Sequence, residues 1–179
     1  MLNIAIAWLF ADFLSGIFHW WEDRYLTGKS GVRFIDKIAK DNELHHKSPT
    51  ELTRHTYWYN INGSIQYSSL IAGILFLLST HIVLCLGFFF LGFANLVHRF
   101  SHETRHRIPS LIRILQWSGV FISPDHHVIH HVDGRMLVSK KRAHREFCVM
   151  SNLLNPLLDK MKLWRRLERL VSLFGYDPI

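Results

Sequence analysis

The apolar residues of the chain fall into stretches separated by polar, charged and histidine-rich sequence. Residues 2–21 form an almost uninterrupted apolar run of about 20 residues, the length at which an α-helix spans a bilayer. A signal peptide is the alternative, but the run has no basic segment before it and no small-residue cleavage site after it. We therefore expect a membrane helix, in which Asp12 and His19 are notable because ionisable groups are costly inside a bilayer.

The longest apolar stretch runs from residue 64 to residue 96 and is interrupted only at Ser79-Thr80-His81. A single helix of this length would measure about 50 Å, whereas the hydrocarbon core of a bilayer is about 30 Å thick. The pattern therefore predicts a hairpin of two membrane helices, 64–80 and 82–97, that turns near Thr80.

Two shorter stretches have a different character. Residues 111–122 are apolar but too few to span a bilayer, which favours a re-entrant or interfacial helix. Residues 153–174 carry apolar side chains at helical spacing, with lysine and arginine largely on the other side. This second pattern predicts an amphipathic tail helix that lies on an anionic membrane surface.

Composition adds a basic, histidine-rich character to these apolar segments. The 179 residues suit one domain, 1–179, and combine 49% hydrophobic residues with a net charge of +7 and 13 histidines. A soluble helical protein with a basic surface is the alternative, and no nucleic-acid-binding module is recognisable. Cys85 and Cys148 are far apart and are expected to be buried thiols.

The positive charges predict the orientation in the membrane. If the three predicted helices span, residues 22–63 and 98–179 lie on one side, and these two segments contain every lysine and arginine. The positive-inside rule makes that side cytoplasmic. Eleven of the 13 histidines lie there and His19 is at that end of its helix, whereas His81 lies at the far turn and is not expected to be a ligand.

The histidines recur at spacings that suit metal binding. His126-His127-Val-Ile-His130-His131 places four imidazoles on neighbouring stripes of one helix, and other histidines form doublets or i,i+4 pairs. Imidazole is a ligand for transition metals. The candidate metal ligands are His19, Asp23, His45, His46, His98, His102, His126, His127, His130 and His131.

Ten candidates exceed the four ligands that one zinc ion takes, and they suit two metals with about five ligands each. Nitrogen-rich coordination at a membrane face indicates activation of O2 by iron. The predicted fold is all-α, an integral membrane helical bundle with a cytoplasmic His-rich di-metal cap. His106 and His144 are expected to be solvated.

Two alternatives remain open. His102-Glu103-Thr104-Arg105-His106 matches HExxH, the motif in which two histidines bind zinc and the glutamate acts as general base in metallopeptidases. A non-enzymatic metal-binding membrane protein would also explain the histidines. Two irons per chain would favour an oxidative enzyme, and one zinc would favour the peptidase.

Several motifs together resemble those of the lipid desaturase domain family, in the right order and over nearly the whole chain. They are Asp12-Phe-Leu-Ser-Gly-Ile-Phe-His19-Trp-Trp-Glu-Asp23, His45-His46-Lys-Ser-Pro-Thr-Glu-Leu-Thr-Arg-His55, Asn62-Gly63, Asn95-Leu-Val-His98-Arg-Phe-Ser-His102, Pro124-Asp-His126-His127-Val-Ile-His130-His131, Phe147-Cys148 and Leu163-Trp164-Arg-Arg-Leu-Glu168. The basic segment 133–145 looks enlarged relative to the family.

This resemblance implies a membrane-bound, O2-dependent di-iron desaturase that introduces a double bond into a lipid alkyl or acyl chain. One such reaction converts plasmanylethanolamine into its vinyl-ether plasmalogen. The electrons would come from an external donor such as cytochrome b5 or ferredoxin. The resemblance adds His55 and Asn95 as catalytic candidates, with Asn95 holding a water to iron, and Asp23 is expected to be a ligand or to orient one.

Overall fold

The computed structural model describes residues 1–135 and 145–179, and for residues 133–135 it describes the backbone alone. Within these ranges the chain contains ten α-helices and no β-strand, which confirms the predicted all-α class. The helices are α1 (Leu2–Tyr25), α2 (Arg33–Lys47), α3 (Glu51–Arg54), α4 (Tyr57–Leu77), α5 (Ile82–Leu91), α6 (Ala94–His102), α7 (Ser110–Trp117), α8 (Pro124–Arg135), α9 (Asn155–Lys160) and α10 (Leu163–Ser172). His144 and most of the basic segment 133–145 lie outside the described residues.

The apolar helices pack side by side in the order α1, α5, α4. Helix α5 lies between α1 and α4, and α4 also packs against α6. The central core joins α1 and α6 to the segment 147–150 through Ala11, Val97 and Met150, all buried. One end of this bundle therefore carries the histidine-rich ends of α1 and α6.

Among the described residues, α1 is the one helix that is both long and apolar enough to cross a bilayer by itself. Helices α5 and α6 satisfy the same criterion only as a pair, with a bend of 44° between them. Helix α4 has 21 residues, but the polar side chains Asn60, Asn62, Ser64 and Gln66 near its start reduce its mean hydropathy. Length and composition are thus compatible with a membrane position for α1 and for the bent pair.

The apolar stretch 64–96 folds as two antiparallel segments that turn between Leu77 and Ile82, where the sequence places the turn. Helix α4 begins at Tyr57, earlier than the predicted residue 64, because the Thr56 side chain accepts a hydrogen bond from the Tyr59 amide and caps it. The second segment is divided by the bend between α5 and α6. This bend directs α6 and its histidines toward α2, α3 and α8.

A loop that follows the undescribed residues is anchored on α1 by a buried carboxylate. The Asp12 side chain accepts hydrogen bonds from the backbone amides of Met150 and Ser151, each at 3.0 Å, and from the Ser151 hydroxyl at 2.5 Å. Ser15 accepts a further bond from the Val149 amide. Asp12 therefore fixes the loop, and the loop carries Phe147 to the histidines.

The C-terminal region is divided into α9 and α10 at Lys162, which has a left-handed backbone conformation with φ of 55°. Trp164 is buried against Trp20 and Phe147, so part of the apolar face of the tail packs onto α1. Leu157, Leu170 and other apolar side chains of the tail are exposed.

The predicted interfacial stretch 111–122 contains α7, whose Leu111, Ile114 and Trp117 side chains are exposed. Cys85 and Cys148 are buried free thiols, as expected.

Candidate metal centre

Helices α1, α2, α6 and α8 bring their histidines together at one end of the bundle. Nine of the ten predicted ligands form two groups, in each of which the potential ligand atoms lie within 4.8 Å of one another. The five-histidine group consists of His45, His98, His102, His127 and His131, and the mixed group consists of His19, Asp23, His46 and His130.

The five-histidine group is a cluster of ring nitrogens directed at one another. The Nε2 atoms of His98 and His127 are 2.7 Å apart, and those of His127 and His131 are 3.0 Å apart. The Nε2 atom of His102 lies 3.2 Å from that of His98. Each ring nitrogen has one in-plane proton or lone pair, so four nitrogens in a row cannot satisfy all three contacts as hydrogen bonds.

His45 is a further ring of this group whose nitrogens are not satisfied by hydrogen bonds within the described residues. It is 5% exposed, and neither of its ring nitrogens has a hydrogen-bond partner among the described residues. Burial, and then the neighbouring imidazoles, lower the pKa values of His45, His127 and His131 below the ordinary histidine value. These rings are therefore held neutral, which is the form that binds metal ions.

The mixed group is centred on the Asp23 carboxylate, whose side chain is 3% exposed. One carboxylate oxygen, Oδ1, accepts a hydrogen bond from Asn42 Nδ2 at 2.7 Å and lies 2.9 Å from His46 Nε2. The other, Oδ2, is 3.2 Å from His130 Nε2 and 3.8 Å from His19 Nε2. The Nε2 atoms of His19 and His130 are 2.9 Å apart.

A backbone contact fixes the orientation of His130. Its Nδ1 lies 3.0 Å from the carbonyl oxygen of Arg145, and because a carbonyl only accepts, Nδ1 carries the proton. In the neutral ring Nε2 then has a lone pair that faces the Asp23 carboxylate. A bound cation would stabilise this arrangement, so the residues present fit a metal ion.

The two groups are adjacent. The ring centroids of His46 and His131, which belong to different groups, are 5.0 Å apart, and those of His127 and His130 are 5.7 Å apart. The doublets His45-His46 and His130-His131 contribute to this proximity, because His45 and His131 belong to one group and His46 and His130 to the other. The arrangement can hold two metal ions side by side, one among imidazoles alone and one with a carboxylate.

The remaining predicted site residues lie outside these groups. His126 is in neither group, although it lies on α8 one turn before His130, which belongs to the mixed group. His55 stacks on Tyr59 with ring centroids 4.1 Å apart and lies 3.8 Å from Glu51. Asn95 is exposed to two cavities that His98 also lines.

Sequence reasoning missed several residues that contact the groups. Asn42 holds Asp23, and its spacing of four residues from His46 on α2 was an available signal. Phe147 packs against the rings of His19 and His130 at centroid distances of 6.4 and 5.2 Å. The latter contact joins segments far apart in sequence and has no local signal.

The HExxH motif does not have the geometry of a zinc peptidase. Helix α6 ends at His102, and Glu103 has an extended backbone with φ of −80° and ψ of 145°. The Glu103 carboxylate is paired with Arg99 at 3.3 Å, and His106 is exposed. The two histidines therefore do not share a helix face with the glutamate between them.

Buried imidazoles from four helices, with one carboxylate among them, define a helical protein with two groups that could hold metal ions. The chain belongs to the lipid desaturase domain family, whose model matches residues 8–179. It is accordingly an enzyme of lipid desaturation.

Similar curated proteins carry desaturase names. A probable fatty acid desaturase of Acanthamoeba polyphaga mimivirus is 30% identical and covers 99% of this chain and 85% of its own length. Plasmanylethanolamine desaturase 1 of Mus musculus is 30% identical over 99% of this chain and 67% of its own length. The plasmanylethanolamine desaturase of Myxococcus xanthus is 27% identical over 94% of this chain, which spans 59% of that relative. No solved structure matches the chain.

Proposed function

We propose that the protein is a membrane-bound, O2-dependent di-iron lipid desaturase. The observation that carries this proposal is the pair of adjacent histidine-rich groups beside an apolar cavity that His19 and His98 line. Two iron ions bound there would supply the activation of O2 that hydrogen removal from an unactivated hydrocarbon requires. The proposed ligands are the nine residues of the two groups.

The chain's own residues orient and shield these ligands. Asn42 holds one oxygen of Asp23, so that the other faces His19 and His130. Arg99 donates hydrogen bonds to the carbonyl oxygens of Thr53 and His55, which ties α6 to the C-terminal end of α3. Phe147 covers the rings of His19 and His130 and excludes water from them. Such contacts fix imidazole orientation before a metal binds.

We propose a lipid hydrocarbon chain as the substrate. The names of the mouse and Myxococcus relatives favour the alkyl ether of plasmanylethanolamine, and the name of the viral relative favours an acyl chain. Removal of two hydrogen atoms with reduction of O2 to water needs two further electrons, which we assign to an external donor such as cytochrome b5 or ferredoxin. By the distribution of lysine and arginine, the metal groups face the cytoplasm.

The test combines metal analysis with lipid analysis. The purified chain should contain two irons, and cells that express it with a competent electron donor should gain a double bond in one lipid class, measured by mass spectrometry. His130→Ala should abolish the new lipid and lower the bound iron, because His130 lies between Asp23 and His19. His81→Ala changes an exposed residue at the start of α5 and should leave both unchanged.

Unchanged lipids in such a host, including vinyl-ether lipids, would refute the desaturase proposal. One zinc per chain would refute the di-iron assignment.

A further inference from the structure

Two of the cavities that adjoin the metal groups meet each other and differ in the character of their walls. The first, of about 370 Å³, lies among α2, α3, α4 and α6, and the second, of about 240 Å³, lies among α1, α4, α5 and α6. Their linings have five residues in common, namely His19, Glu22, Ser64, Asn95 and His98. The cavities therefore meet beside one histidine from each metal group.

The second cavity is apolar beyond this junction. Its walls include Phe18, Ile71, Phe88, Leu91, Ala94 and Val149. Ser68 on α4 also lines this cavity, is 7% exposed, and has a small side chain that takes up little of the space. Such walls suit a hydrocarbon chain, which gains free energy by leaving water.

The first cavity has both polar and apolar walls beyond the junction, with Ile38, Leu44 and Leu52 among the apolar residues, and it is the more polar of the two. Its walls include Lys37, Asp41, Glu51, His55, Tyr59 and Asn60. Some of these groups pair with one another, as Lys37 does with Asp41 and Glu51 with His55, but their charges and polar atoms make this wall better suited to polar atoms than to a hydrocarbon. The polar part of a ligand belongs in this cavity.

Asn95 lies at the boundary between the two. It is on α6, one turn before His98, and it lines both cavities. Its side-chain amide makes no hydrogen bond within the described residues and is exposed to the cavities. An amide can donate to an ether or ester oxygen, the kind of atom that joins a lipid chain to its polar part.

We propose that the two cavities form one binding site for an amphipathic glycerolipid. The hydrocarbon chain occupies the apolar cavity and the polar part occupies the polar cavity. The Asn95 amide donates a hydrogen bond to the oxygen that joins them and so sets the position of the chain relative to His98 and His19. This assignment rests on the proposed function for its substrate class and assigns Asn95 to the lipid.

The test measures binding without turnover. The full chain, purified in detergent micelles, is irradiated with phosphatidylethanolamine that carries a diazirine either near the head group or near the methyl end of one chain. Cross-linked peptides are then identified by mass spectrometry. The first probe should label the peptide that contains Asn95, and the second should label peptides that contain Ile71 or Phe88.

Matched variants test each half of the site. Ser68→Phe fills the apolar cavity and should reduce labelling by the methyl-end probe about tenfold, because a large ring takes the space of the chain. Ser69→Phe, at the adjacent position of α4 and outside both linings, should retain it. Asn95→Leu should reduce labelling by the head-group probe, whereas Gln66→Leu, an exposed amide on α4, should not.

Identical labelling by both probes, or labelling confined to exposed helices such as α7, would overturn the proposal. Equal effects of Ser68→Phe and Ser69→Phe, or of Asn95→Leu and Gln66→Leu, would also overturn it. Because no metal or electron donor enters this experiment, failure of the desaturase proposal would appear instead in the iron content and the lipid products.

Discussion

Two of the three histidine doublets divide their imidazoles between the two metal groups. Successive residues of an α-helix point about 100° apart, so a doublet at the edge of two adjacent groups can serve both. His45 and His46 do this from α2, and His130 and His131 do it from α8. Asp23 is the one carboxylate among the nine proposed ligands, which makes the mixed group sensitive to a change of charge.

Replacement of Asp23 by asparagine keeps the shape of the side chain and removes its charge. We expect Asp23→Asn to lose the metal of the mixed group and to lower the metal content from two ions to one, because three neutral imidazoles remain where a carboxylate neutralised the cation. Metal analysis of the purified variant measures this. Asp177→Asn, an exposed carboxylate near the C-terminus, is the matched control. An Asp23→Asn variant that retains both ions would contradict the assignment of Asp23 as a ligand.

Asn42 acts on the metal through Asp23. Asn42→Ala removes the 2.7 Å hydrogen bond to Oδ1, and we expect the affinity of the mixed group to fall roughly 10–100-fold, as is typical when a group that orients a metal ligand is lost. Dialysis against graded chelator would show one ion released earlier than the other, with an unchanged thermal midpoint. Asn62→Ala, on the surface of α4, should release both ions as the parent protein does. Simultaneous release of both ions from Asn42→Ala would indicate a general structural role instead.

The helices that carry the metal groups are predicted by short-range features of the sequence. The start of α8 at Pro124, the histidine stripe and the hairpin turn before Ile82 follow from capping, helical spacing and apolar length, and all are visible in sequence. The bend before Ala94, beside the close approach of Gly92 to Ile65 of α4, and the division of the tail at Lys162 do not follow from those signals. The sequence therefore predicts which helices carry the ligands, but not the loop that Asp12 fixes, because its partners are 138 and 139 positions away.

The contact between α1 and this loop depends on Gly16. A Cβ atom at Gly16 would lie 2.6 Å from Cys148 Sγ and 3.0 Å from Trp164 Cη2, so alanine forces these groups apart. We expect Gly16→Ala to destabilise the fold by about 1–3 kcal/mol, the usual cost of overpacking. Gly73→Ala, on α4 with open space around the position, should stabilise the protein by about 0.5–1 kcal/mol. Thermal unfolding in detergent compares them, and equal midpoints for the two variants would contradict the close approach.

The molecule as a whole separates an apolar bundle from a basic, metal-binding end. Every lysine and arginine lies in residues 22–63 or 98–179, which follow the first and the second apolar stretch. In the proposed orientation, the described ones lie on the same side of the bundle as the metal groups. In the proposed function, this arrangement would bring a lipid chain between helices to a centre that an electron-donor protein would reach from the cytoplasm. The order of apolar and basic segments along the chain predicts this separation, whereas the distances between the two metal groups follow only from the three-dimensional fold.

Cysteine labelling tests this orientation. Leu78→Cys places an exposed thiol at the turn between α4 and α5, and Phe174→Cys places one after α10, while the native thiols Cys85 and Cys148 are buried. In intact cells a membrane-impermeant maleimide should label Leu78→Cys and spare Phe174→Cys, because a charged reagent does not cross the bilayer. Permeabilisation should make both reactive, which controls for local accessibility. Labelling of both thiols in intact cells, or of Phe174→Cys alone, would refute the topology that places the metal groups in the cytoplasm.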